Sequence, residues 1–81
     1  HEVQLTPTEY DLLRALVAQA GKVLTHRQLL RQVWGEGYEG EMHLLRVNMS
    51  NLRHKLEPGA SRPPLILTEP GVGYRLRVEG G

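Results

Sequence analysis

The side chains best suited to recognising a partner lie between residues 43 and 55, where His43, Arg46, Val47, Ser50, Asn51, Arg53, His54 and Lys55 crowd together. An Asn amide carries the donor and acceptor that match an adenine edge, a Val methyl can touch a thymine methyl, and Arg or Lys bonds phosphate oxygens. The same residues also suit a plain solvated helix face. Catalytic and metal chemistry find less support. His43 and His54 stand about 16 Å apart along a helix, whereas chelation wants partners one turn apart with carboxylate or thiolate help. The chain has no cysteine. Ser50 and Ser61 lie in no recognisable nucleophile motif. Gly71-Val72-Gly73 lacks the third glycine and the following helix of a dinucleotide loop. No enzyme activity, cofactor or metal is expected.

These residues need a helix to hold them. With Leu45 set at zero on a helical wheel, Met49, Leu52 and Leu56 fall within about 40° of it and form one apolar stripe. His43, Val47, Ser50, Asn51 and His54 occupy the opposite face, flanked by Arg46, Arg53 and Lys55. The helical pattern runs from near Glu41 to Leu56, and Glu57-Pro58-Gly59 stops it. Arg53 could contact phosphate, or pair with Glu57 four residues on and serve only the helix.

Two further helices precede it. Thr6, Pro7 and Glu9 form a capping box with proline at the first helical position, and Leu5 can staple onto Tyr10. Leu12, Leu13, Leu16, Val17 and Ala20 continue with helical spacing to Gly21, which predicts a helix over Pro7–Ala20. Thr25 and Gln28 repeat the box, with Leu24 facing Leu29, and predict a second helix over His26–Trp34. Lys22-Val23-Leu24 between them is short enough only for a turn or a bridge to a sheet edge. Gly35–Gly40 is a loop by its glycines. Beyond the Ala60–Pro64 linker the period changes to two. Leu65–Glu69 and Tyr74–Val78 read as strands around a turn at Pro70–Gly73, and Tyr74-Arg75-Leu76-Arg77-Val78 alternates apolar and basic residues. A lone hairpin is marginal in water and must pack on the helices.

Eighty-one residues bound the answer to one domain, here residues 1–81. Such a chain buries only about 60% of its unfolded surface, so its core is small. The sequence contains no run of 18 apolar residues and opens without the basic and apolar blocks of a signal peptide, which points to a cytoplasmic protein off the membrane. The net charge of +1 conceals an asymmetry. Residues 1–45 hold four cations against six carboxylates; residues 46–81 hold six against three. The basic half invites an anionic partner.

The order helix, helix, glycine-rich loop, basic helix, hairpin is that of a helix-turn-helix followed by a wing. Four blocks carry a closer likeness: Leu5–Leu13, Val23–Leu30 with Val33-Trp34-Gly35, Leu52–Glu57, and Gly71–Arg75. Together they resemble the effector domains of OmpR/PhoB-type response regulators over about residues 3–78. Leu44–Met49 and Thr68–Arg75 are most similar to the Kdp-type branch, which controls potassium-uptake operons. The resemblance implies an α+β winged helix-turn-helix of three helices and a C-terminal β-hairpin wing. It implies a sequence-specific DNA-binding output domain of a bacterial two-component transcription regulator. The alternative is a winged-helix protein-interaction domain that does not read DNA.

Carried onto this sequence, the resemblance makes the third helix the reader of double-stranded DNA. Val47, Asn48 and Asn51 would face bases, although the wheel puts Asn48 nearer the flank. Trp34, His43, Arg53, Thr68 and Tyr74 would meet phosphates. Glu36 and Glu39 of the loop before the third helix would meet RNA polymerase. Three positions depart from the pattern. Pro70 stands where several members insert Arg into the minor groove, and Ser50 and Asn51 stand where some carry basic residues. The chain reads as an output module of a longer protein, without the receiver domain through which a sensor kinase acts and without most of a preceding sheet, of which Val3-Gln4-Leu5 would be the last strand. The module alone is expected to be a monomer.

Overall fold

The computed structural model describes residues 4–57 and 64–78. Its elements run α1 (Pro7–Ala18), β1 (Val23–Thr25), α2 (His26–Trp34), α3 (Met42–Leu56), β2 (Ile66–Glu69) and β3 (Gly73–Leu76). Both capping boxes form. Thr6 Oγ1 accepts from Glu9 N–H while Glu9 Oε1 accepts from Thr6 N–H, and Thr25 and Gln28 do the same for α2. These bonds satisfy orphan donors within a single turn, which is why four residues of sequence suffice to announce them.

α1 ends two residues before the expected boundary. Gln19 and Ala20 donate to the carbonyls of Leu16 and Val17, a tightened last turn, and Gly21 then takes a φ of 86°. Gly21 N–H donates to Leu76 O, so the end of α1 is tied to the end of β3. α3 starts at Met42 with Glu41 as N-cap. Gln4 and Leu5 form no strand, and Val3 lies outside the described residues, as does most of the 60–64 linker.

The hairpin is completed by the segment between the first two helices. Val23–Thr25 is the third strand of an antiparallel sheet ordered β1-β3-β2. Leu24 faces Tyr74, Thr25 faces Gly73, and on the other side Ile66 faces Leu76 and Thr68 faces Tyr74. Gly73 is required here by close approach: a Cβ at this position would overlap the carbonyl of Leu24. The central position of β3 ties the wing to the two-helix unit, which resolves the marginality of an isolated hairpin.

One core lies between helices and sheet. Leu12, Ala15 and Leu16 of α1, Leu29 and Leu30 of α2, Leu45, Met49 and Leu52 of α3, Leu24, Ile66 and Tyr74 are all buried. The stripe read from the wheel of α3 is therefore its core face, with Leu56 half-buried at the end. Two expectations for α1 fail. Tyr10 is exposed rather than stapled down, with the Arg14 guanidinium 5.9 Å from its ring centroid, and Val17 is exposed while Ala15 takes the core position.

Candidate nucleic-acid interface

α3 sends its apolar stripe inward and leaves the opposite face uncovered. Val47 is 43% exposed, and Arg46, Ser50, Asn51 and His54 are exposed beside it. The helix position dictates this: Val47 and Asn51 are one turn apart and both lie away from Leu45 and Leu52. Asn48 differs. It is half-buried, and its Nδ2 donates to Leu44 O at 2.8 Å, so part of its amide is spent on its own helix. His54 uses Nδ1 in the same way toward Ser50 O.

Three of the five residues expected at phosphates converge on one cluster. Arg53 Nη2 donates to Thr68 Oγ1 at 2.6 Å and to Ile66 O at 3.0 Å. Its Cζ stands 5.2 Å from the centroid of the Tyr74 ring, a cation–π distance. His26 of α2 packs edge-on against the same ring, with centroids 5.6 Å apart and planes at 77°. The Tyr74 side chain is largely buried, Thr68 is exposed, and Arg53 Nε is buried with no partner among the described residues. Trp34 closes α2, half-buried against the core, and His43 is exposed in the first turn of α3. Arg53 does not pair with Glu57; the Glu57 carboxylate instead accepts from Leu65 N–H.

The charge of the C-terminal half is mostly committed internally. Lys55 Nζ reaches Glu9 Oε1 at 2.7 Å, Arg75 Nε reaches Glu69 Oε2 at 3.1 Å, and Arg77 Nε donates to Pro64 O. Glu9 is 2% exposed, and no reading of the sequence beyond its capping role foresaw that burial. The hydrogen bond from Lys55 holds its carboxyl below the ordinary value of 4.5, against the opposing effect of burial. The only signal was Lys55 itself, a cation in the last turn of α3.

In the loop before α3, Glu36 is exposed. Glu39 is half-buried, and its Oε1 accepts from Gly37 N–H at 3.0 Å. Its carboxyl is held below the usual value by backbone N–H groups, its own first and then that of Gly37, with a smaller contribution from Arg31 and Arg27. Among the described residues no group of three His, Asp or Glu could hold a metal ion, and no helix is long and apolar enough to cross a membrane.

The family of the C-terminal part of transcriptional regulatory proteins matches residues 1–76. This chain belongs to it. The family is the OmpR/PhoB-type C-terminal DNA-binding domain, one of transcription regulators. The chain is 54% identical over 77 residues to the KDP operon transcriptional regulatory protein KdpE of Escherichia coli strain K12, covering 95% of this chain and 34% of that protein. It thus spans about a third of the length of the curated relatives it matches. Among solved structures, the DNA-binding domain of E. coli CadC superposes with a TM-score of 0.84 at 30% identity, over 96% of this chain and 73% of that one. The Klebsiella pneumoniae RstA DNA-binding domain in complex with the RstA box superposes with a TM-score of 0.80 at 32% identity, over 93% and 74%. The fold is therefore the winged helix of these domains, with the β2–β3 hairpin as its wing and β1 as the strand that joins the wing to the helices.

Proposed function

We propose that this chain is the DNA-reading output domain of a two-component response regulator, with α3 lying in the major groove. The observation that carries the reading is the division of α3: Leu45, Met49 and Leu52 are buried, while Val47 and Asn51 stand exposed on the far side. Val47 and Asn51 read base edges, and Asn48 contributes from the flank. Trp34, His43, Arg53, Thr68 and Tyr74 face phosphates and set the register on the duplex. The likeness to KdpE, named for the KDP operon, supports control of potassium-transport genes. Glu36 and Glu39 in the loop between α2 and α3 offer carboxylates to a basic surface of RNA polymerase. The remainder of the regulator carries the receiver domain, through which the signal of a sensor kinase and the pairing of protomers arrive, and the protein works in the cytoplasm.

Selection of bound duplexes from a random pool tests the reading. An enriched consensus that competes a gel shift better than random duplex is the expected result. Retention of no duplex would favour the protein-interaction alternative. Sedimentation of the free chain is expected to give a monomer, and a duplex with two half-sites to be occupied by two copies. A stable dimer without DNA would overturn the assignment of pairing to the rest of the protein.

A further inference from the structure

The last turn of α3 is tied to the rest of the fold on two sides. Arg53 bonds Ile66 O and Thr68 Oγ1 of β2. Lys55 bonds Glu9 Oε1 at 2.7 Å and Gln4 O at 3.1 Å, both at the start of α1. Two residues of α-helix separate the attachment points by about 200°, so the ties leave α3 on nearly opposite sides. At the other end of the helix Glu41 makes no side-chain cap bond, and among the described residues its N–H donates only to Tyr38 O of the adjoining loop. Between them the buried stripe holds α3 by apolar contact, which is non-directional and tolerates small rolls and slides. Hydrogen bonds are directional and do not.

We propose that Glu9 and Lys55 are positioning residues for base readout, their ion pair setting the roll of α3 so that Val47 and Asn51 face the groove. The inference rests on the DNA-reading assignment above. Glu9 is suited to the task because its carboxylate is held on several sides. It is buried, it is the N3 member of the α1 capping box, and one oxygen accepts from both Thr6 N–H and Lys55. Lys55 is thereby withdrawn from phosphate contact, although its place on a basic helix suggests otherwise. The same ammonium also grips the carbonyl of Gln4, so the chain entering α1 is fastened to the end of the reading helix.

The test compares Lys55→Met, Lys55→Arg and Glu9→Gln in this chain, using the selected consensus duplex and a random duplex of equal length. Circular dichroism melts fix an assay temperature at which each variant is folded. Lys55→Met is expected to lower the ratio of consensus to random affinity roughly tenfold, the equivalent of one good base contact, while random-duplex affinity changes little. Lys55→Arg, which keeps the cation, is expected to retain most of the ratio. Glu9→Gln, which leaves Lys55 in place, is expected to lower it in the same direction. A phosphate role for Lys55 would instead weaken both duplexes alike, flatten the salt dependence by about one unit of slope, and let Glu9→Gln bind more tightly. That result, or a lowered melting temperature with the ratio unchanged, would overturn the proposal. If the unaltered chain prefers no duplex, the DNA-reading assignment itself fails.

Discussion

Arg53 on α3 and Thr68 on β2 are joined side chain to side chain at 2.6 Å, across 15 residues of sequence. The bond couples α3 to the wing. Tyr74, which pairs with Thr68 across the hairpin, supports the guanidinium from its ring face. Whatever Arg53 does at a phosphate, it does while holding β2, so its loss removes both a cation and the angle between helix and wing. In a double-mutant cycle, Arg53→Ala and Thr68→Val are expected to couple by about 0.5–1.5 kcal/mol in urea unfolding, the usual size of a hydrogen bond between neighbours. Additive losses would mean that the two residues act independently.

Asn51 has no such second duty. It is exposed, and among the described residues no intramolecular hydrogen bond to its amide is present. Asn51→Ala should leave the melting temperature nearly unchanged, cost about 1–3 kcal/mol on the consensus duplex and relax preference at one base pair. Affinities for a panel of single-base variants of the consensus check this. An equal loss on every duplex would reassign Asn51 to the backbone.

Salt dependence should be gentle. Lys55, Arg75 and Arg77 are engaged within the fold, and Arg53 is shared with the wing. About three or four phosphates neutralised per monomer predict a slope of log affinity on log salt of about −3 to −4. Titrations across a range of salt concentrations measure it. A slope beyond about −7 would require a second protomer or a basic surface not seen in this fold.

Glu9 should shape the acid limb of stability. Its folded carboxyl titrates below its ordinary value, so near that value the unfolded chain binds more protons than the folded one. Its contribution is present above pH 4.5 and is lost as the pH falls through the lower folded value. Glu9→Gln should reduce stability near neutrality by about 1–2 kcal/mol, a range set by charged hydrogen bonds and tempered by the partial exposure of Lys55. It should also flatten the fall in melting temperature as the pH drops below 4.5. Glu39, whose carboxyl is also lowered, keeps a residual slope of the same sign in both proteins.

What the sequence determined alone is what a single turn can encode. Thr6 with Glu9 and Thr25 with Gln28 close their capping boxes over three residues, so both helix starts, and the whole span of α2, are legible without a fold. The stripe Leu45, Met49, Leu52 is likewise periodic in the chain itself, and it names the exposed face of α3 by elimination. Resemblance in four ordered blocks supplied the winged-helix expectation. Tertiary structure decided the partners. Glu9 meets Lys55 across 46 residues, Val23–Thr25 becomes a strand only because β3 lies beside it, and Arg53 turns to β2 rather than to Glu57 one turn away. The physical reason is that a long polar side chain can reach several acceptors within its span. Which one it takes depends on the burial and spacing of elements distant in sequence, and local periodicity carries no record of those.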